Sequence, residues 1–182
     1  MALVMYLQLQ KCLQKEVLKN DRPFSWLRTI HRALKCPDRR FYFWFRIWVY
    51  LFKTKKGVVR RFARKKLIKL NRFYAIDISP LATIGEGLDI RHFPGLVIRP
   101  DCIIGKNIVL RQNITIGQHT RGDKGKTVIG DNVNIGAGSC IIGDITIGSN
   151  VTIGAMSFIN KDIPDNHIVY TRKEMALVLR ES

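Results

Sequence analysis

From Ile78 onward the chain places an aliphatic residue at every sixth position. The series runs Ile78, Ile84 and Ile90, then pauses for two extra residues. It resumes at Ile98, Ile104, Leu110 and Ile116, pauses for seven more (Gly122 to Val128), and continues with Ile129, Ile135, Ile141, Ile147 and Ile153. Gly follows the aliphatic residue in seven of these twelve units. A fixed period held this long is the signature of a solenoid. Three sixes close one triangular coil of a parallel β-helix. The aliphatic residue points into the coil, a small residue at the fifth position fills the corner, and Gly or Asn takes the turn geometry that other side chains oppose. Coils hydrogen-bond to their neighbours, so none is stable alone. The pattern predicts an all-β parallel β-helix over residues 76–165, with a loop at 118–128. Residues 166–182 form a cap and tail, in which 173–180 can make a short terminal helix or strand.

Upstream the period changes. Leu3, Val4, Leu7, Leu9, Leu13, Val17 and Leu18 recur at roughly helical spacing, and Asn20-Asp21-Arg22-Pro23 ends that helix. Ser25 can cap a second helix, from Trp26 to about Leu34, which Cys36-Pro37-Asp38 breaks. Residues 39–52 are strongly aromatic but hold Arg46 in their middle, and they are too short to span a bilayer. Residues 1–75 are therefore an α-helical segment.

Several runs carry a family resemblance. Ile76-Asp77-Ile78-Ser79-Pro80, Ile84-Gly85-Glu86-Gly87 and His92-Phe93-Pro94-Gly95, with the two-residue insertion near Gly95, resemble the serine acetyltransferase branch of the hexapeptide-repeat acyltransferases. The resemblance covers about residues 37–165. It implies a left-handed β-helix, acetyl-CoA as co-substrate, no metal, and a homotrimer, with pairing of trimers left open. It implies His92 as catalytic base and Asp77 as the carboxylate that orients it. The chemistry fits: a hydroxyl needs a base as it attacks a thioester, and a neutral imidazole is a base near pH 7. The two lie fifteen residues apart, close to one coil of eighteen, so the spacing lets them meet between coils. It also implies CoA contacts from small residues of late coils, at Ala137, Gly138, Gly154 and Ala155. The same residues are equally explained as small because the coil requires it. Gly117 is the expected oxyanion turn. His119, Arg121 and Lys126 of the long loop are expected contacts to acceptor or CoA phosphates. A zinc site fails on numbers, because His92 and His119 have no close third ligand.

One position departs from the branch. The acid that holds the serine amine just before the catalytic His is Arg91 here. A guanidinium repels an ammonium and attracts anions or sugar hydroxyls. With its shorter helical part, the chain is closest in character to O-acetyltransferases of capsule, exopolysaccharide or lipopolysaccharide assembly. Expected activity is acetyl transfer to a sugar hydroxyl. The alternatives are serine O-acetylation in cysteine biosynthesis and a non-catalytic membrane-associated scaffold.

Charge adds a partner question. The formal net charge is +17, and all of it resides in residues 1–72, which hold 20 Lys and Arg against Glu16, Asp21 and Asp38. Residues 39–70, aromatic then basic, are a candidate peripheral contact with an anionic membrane. The competing reading makes the aromatics core or subunit contact and the charges a solvated face. No nucleic-acid reading module accompanies the charge. Cys12, Cys36, Cys102 and Cys140 form no disulfide framework, and the N-terminus lacks signal-peptide features. The expected location is the cytoplasm, with the inner membrane face as the site of any peripheral contact.

Overall fold

The computed structural model describes residues 2–117 and 125–172. Fourteen short strands wind into a parallel solenoid of about four turns, with sheet orders β1-β4-β7-β10-β13, β11-β8-β5-β2 and β14-β12-β9-β6-β3. The strands run β1 (Asp77–Ile78), β2 (Thr83–Ile84), β3 (Asp89–Ile90), β4 (Val97–Ile98), β5 (Ile103–Ile104), β6 (Val109–Leu110), β7 (Thr115–Gly117), β8 (Val128–Ile129), β9 (Asn134–Ile135), β10 (Cys140–Ile142), β11 (Thr146–Ile147), β12 (Thr152–Ile153), β13 (Phe158–Ile159) and β14 (Ile168–Val169). Every sixth-position aliphatic residue is buried, so each two-residue strand through β13 presents one side chain inward and one outward. Asp77 pairs with Val97 and Cys140 with Phe158, which shows the two-residue insertion in one coil and the plain eighteen-residue repeat in another.

Two details differ from the sequence reading. The corners are not uniformly small: Leu88, Ile108, Val133 and Val151 fill one, while Ser139 and Ser157 occupy another. The solenoid also runs past 165, because β14 pairs in parallel with β12. Thr152 N–H donates to the His167 carbonyl, so backbone pairing continues where the aliphatic period stops. At one corner Asn107, Asn132, Asn150 and Asn166 all take positive φ and pass a side-chain hydrogen bond from each amide to the next, at 2.9–3.0 Å. Asn tolerates this backbone region and gains a ladder from it.

The helical segment comprises α1 (Ala2–Leu13), continued by a π-helical turn (Gln14–Leu18), α2 (Trp26–Lys35), α3 (Pro37–Thr54) and α4 (Gly57–Phe73). Pro37 starts a helix instead of only ending one: it sits in the first turn of α3, where its missing N–H costs nothing. The aromatics of α3 mostly turn inward. Phe41, Tyr42, Phe43, Phe45 and Phe52 are buried against the solenoid and neighbouring helices, which removes them from any membrane contact. Arg46 is buried with them. It donates to both Glu16 oxygens (2.8 and 2.6 Å) and to the carbonyls of Ile84 and Gly85. Glu16 in turn accepts the backbone N–H groups of Gly87 and Leu88 at 3.0 Å. This clasp ties the helices to one corner of the solenoid. No helix among the described residues is long and apolar enough to cross a membrane.

Candidate active site

His92 lies on the bend between β3 and β4, in the widened coil that the two-residue insertion creates. Its ring is exposed and, among the described residues, has no hydrogen-bond or ion-pair partner. A free, solvent-reached imidazole is available for proton transfer. The backbone that carries it is held from several sides. The Tyr42 hydroxyl accepts the Ile90 N–H (2.9 Å) and donates to the Ile90 carbonyl (3.3 Å). Burial pushes the Tyr42 phenol pKa up, so it stays neutral and can do both. Phe93, directly after the His, packs its ring against Phe41 (4.8 Å) and Tyr74 (4.7 Å). Gly95 donates to the Ala75 carbonyl at 2.8 Å, and Asn113 N–H donates to the Pro94 carbonyl at 3.0 Å. Gly95 has φ 76°, and a Cβ there would strike the Asn113 side chain. Glycine is required at that turn.

Tyr42, Phe93, Phe41 and Tyr74 hold the chain on either side of His92, contacts that the repeat pattern does not reveal. Their one sequence signal is the aromatic run at 41–45 together with Phe93 beside the His. Tyr42→Phe should lower stability by about 1–3 kcal/mol, because the buried Ile90 N–H loses its acceptor. Urea unfolding would measure that loss.

Asp77 is exposed in β1, at the first strand of its sheet, and its N–H donates to the Leu96 carbonyl. The spacing placed Asp77 and His92 within reach across coils. In the structure Asp77 registers with Val97, five residues past His92, and no hydrogen bond joins the two side chains. The insertion accounts for this, since it lengthens the connecting coil beyond eighteen residues. Arg91 is exposed and forms an ion pair with Asp89 at 2.8 Å. The charge beside His92 is thus a matched pair, not a lone cation.

The remaining site residues divide. His119 and Arg121 lie outside the described residues. Gly117 is buried: its carbonyl accepts the Gly143 N–H and the Thr127 hydroxyl, and the Arg99 side chain lies against it. That carbonyl is committed to the coil. Lys126 is exposed, with its N–H on the Asp144 carboxylate at 3.0 Å. Gly138 has φ 69° and sits beneath Met156, and Gly154 sits beneath Tyr170. Ala155 stacks over Gly136, and the Ala137 carbonyl accepts the Met156 N–H. Each therefore has a role within the coil. Among the described residues no group of three His, Cys, Asp or Glu side chains could hold a metal ion.

The sequence of residues 126–161 matches the family model described as bacterial transferase hexapeptide (six repeats). A serine acetyltransferase of Staphylococcus epidermidis is 43% identical over 103 residues, which is 54% of this chain and 48% of that protein. WcaB of Escherichia coli K12, provisionally named as a colanic acid biosynthesis acetyltransferase, is 34% identical over 131 residues, 69% of this chain and 81% of that protein. Among solved structures, Entamoeba histolytica serine acetyltransferase isoform 3 in complex with cysteine aligns with a TM-score of 0.72 at 28% identity, covering 98% of this chain and 62% of that one. Soybean serine acetyltransferase complexed with serine aligns with a TM-score of 0.74 at 26% identity, covering 91% and 68%. The chain spans about half the length of the Staphylococcus relative, at 48%.

Proposed function

The chain belongs to the hexapeptide-repeat transferases of the serine acetyltransferase and WcaB type, and from that premise we propose that it transfers acetyl from acetyl-CoA to a sugar hydroxyl of a bacterial surface polysaccharide. His92 takes the hydroxyl proton as the oxygen attacks the thioester carbonyl. The tetrahedral intermediate then expels the CoA sulfur, and the imidazolium returns the proton to the thiolate. No acyl-enzyme forms. Asp77 belongs to the same end of the solenoid and orients His92 once substrates close the site, since catalytic hydrogen bonds often tighten only then. Lys126, Ala137, Gly138, Gly154 and Ala155 are the residues this reading assigns to CoA. His119 and Arg121 are the loop's contribution to the acceptor. The working unit is a homotrimer, in which each cleft lies between two solenoids.

One observation supports a sugar over serine. The charge next to His92 is Arg91, and the nearby Asp89 carboxylate is already engaged by it. An amino acid's ammonium meets a guanidinium there, and no free carboxylate. Neutral hydroxyls can bond to either partner without breaking the pair. The match to WcaB also runs longer, 131 residues against 103. The second reading, serine O-acetylation, has the more identical relatives at 43% against 34%, as well as the solved structures. By relatedness alone serine is the better supported acceptor.

The deciding experiment is free-thiol release from acetyl-CoA with L-serine, and separately with capsular and exopolysaccharide sugars. Release with a glycan and not with serine is the expected result. Release with serine alone overturns the sugar reading and leaves the acetyl-transfer chemistry standing. The acceptor is taken to be held at the cytoplasmic face of a membrane. Support comes from α4, which carries seven Lys and Arg and no acid.

A further inference from the structure

Between α4 and the first corner of the solenoid lies a cavity of about 470 Å³. Arg60, Arg61 and Arg64 line it from the helix, and Ser79, Pro80 and Leu81 line it from the corner, with Phe52 beside them. No acid is among the lining residues. Among the described residues no ion pair involves these three arginines. Three guanidiniums on adjacent helical positions repel one another, and like charges at i, i+4 destabilise a helix. The Arg60 guanidinium is oriented, lying 4.6 Å over the Phe52 ring. The Ser79 hydroxyl accepts the Leu81 N–H at 3.2 Å, which leaves its own proton to donate. Guanidinium forks match the oxygens of a phosphate in pairs.

The helix around this cavity has a second character. Ala63 and Leu67 form its buried seam. Away from that seam Val58 and Phe73 are exposed at 71% and 80%, and Phe62, edge-on to Trp48 of α3, at 49%, interleaved with Lys65, Lys69 and Arg72. Cations mixed with exposed aromatic and aliphatic residues suit the headgroup region of an anionic bilayer. We propose that Arg60, Arg61, Arg64 and Ser79 form a phosphate-binding pocket that seats the phosphomonoester or diphosphate head of a membrane lipid, while the outer face of α4 rests on the bilayer. The inference deepens the membrane part of the function above and rests on it for the source of the phosphate. It does not depend on which acceptor is acetylated.

The test uses the full chain and two variants that each remove two positive charges from α4. One is Arg61→Gln with Arg64→Gln, in the pocket. The other is Lys65→Gln with Lys69→Gln, on the outer face. Titration calorimetry with inorganic pyrophosphate should show at least a tenfold weaker Kd for the pocket variant, and less than a twofold change for the outer variant. Vesicle cosedimentation should show the wild type preferring phosphatidic acid to phosphatidylglycerol at matched surface charge, and the pocket variant losing that preference. Equal weakening in both variants overturns the proposal, because charge alone would then explain the binding. Binding to both vesicle types alike, without pyrophosphate binding, overturns the pocket and leaves the membrane reading intact. Pyrophosphate binding without binding to either vesicle overturns the lipid source and the membrane reading together. Binding of an acidic polysaccharide in place of vesicles does the same.

Discussion

Replacing His92 by Ala is expected to lower kcat for acetyl transfer by about 10²–10⁴-fold, the range for losing a positioned general base. The fold should not change. His92 is exposed and makes no hydrogen bond among the described residues, so its loss should move stability by no more than about 0.5 kcal/mol. Acetyl-CoA binding should also persist, since the residues proposed to contact CoA are other than His92. This combination separates a base from a structural turn residue: a structural His would lower stability and spare kcat. Asp77→Asn should lower kcat less, because it changes the base's orientation and not its presence. Full activity in His92→Ala would end the acid–base reading, whatever the acceptor.

How far the chain could be read from its residues depends on where the information sits. The solenoid is written in a local code, one aliphatic residue per six. The strands therefore begin where the period places them, and even the two insertions register correctly. The code ends with the aliphatic period, and β14 lay beyond it, because its pairing with β12 rests on backbone groups that any sequence supplies. The corners carry no code either: Ile108 and Ser139 both fit, since corner width depends on neighbouring coils. The site was legible in part. His92 stands out because it lies in the unit beside an insertion. The residues that hold it do not, because Tyr42 and Ile90 lie 48 positions apart and meet only through the docking of α3. Asp77 registers with Val97 and shares no hydrogen bond with His92, since the insertion falls inside that same coil. Arg91 was legible as a charge, but its Asp89 partner two residues away turns a cation into a neutralised pair. The aromatic run at 39–52 suggested a membrane surface by composition, and its burial shows that composition cannot tell a bilayer from a protein core.

Arg46→Ala should be the most destabilising single change in the helical segment. The residue is 7% exposed and its partner Glu16 2%. Burial works against the Arg46 charge, and the Glu16 carboxylate beside it more than restores it, so the guanidinium is held charged. Removing it leaves a buried carboxylate with only the N–H groups of Gly87 and Leu88, and strips the Ile84 and Gly85 carbonyls of their donor. Breaking one side of a buried pair costs about 3–5 kcal/mol. For a chain of this size that is a Tm drop on the order of 10 °C, read by calorimetry at one scan rate. Glu16→Ala should fall in the same range, because the guanidinium is then the uncompensated charge. The double variant Glu16→Leu/Arg46→Met should lose less than the two single losses added together. The shared interaction is counted twice in that sum, and a double-mutant cycle isolates it. It should not return fully to wild type, since the corner's backbone groups still lack partners. The clasp grips Gly85 to Leu88, the corner just before β3 and the His92 bend. Activity in Arg46→Ala should therefore fade at a lower temperature than in wild type, with kcat near normal in the cold. A Tm within 2 °C of wild type, or additive single losses, would mean that the helices are held to the solenoid by their aromatic faces and that the ion pair is incidental.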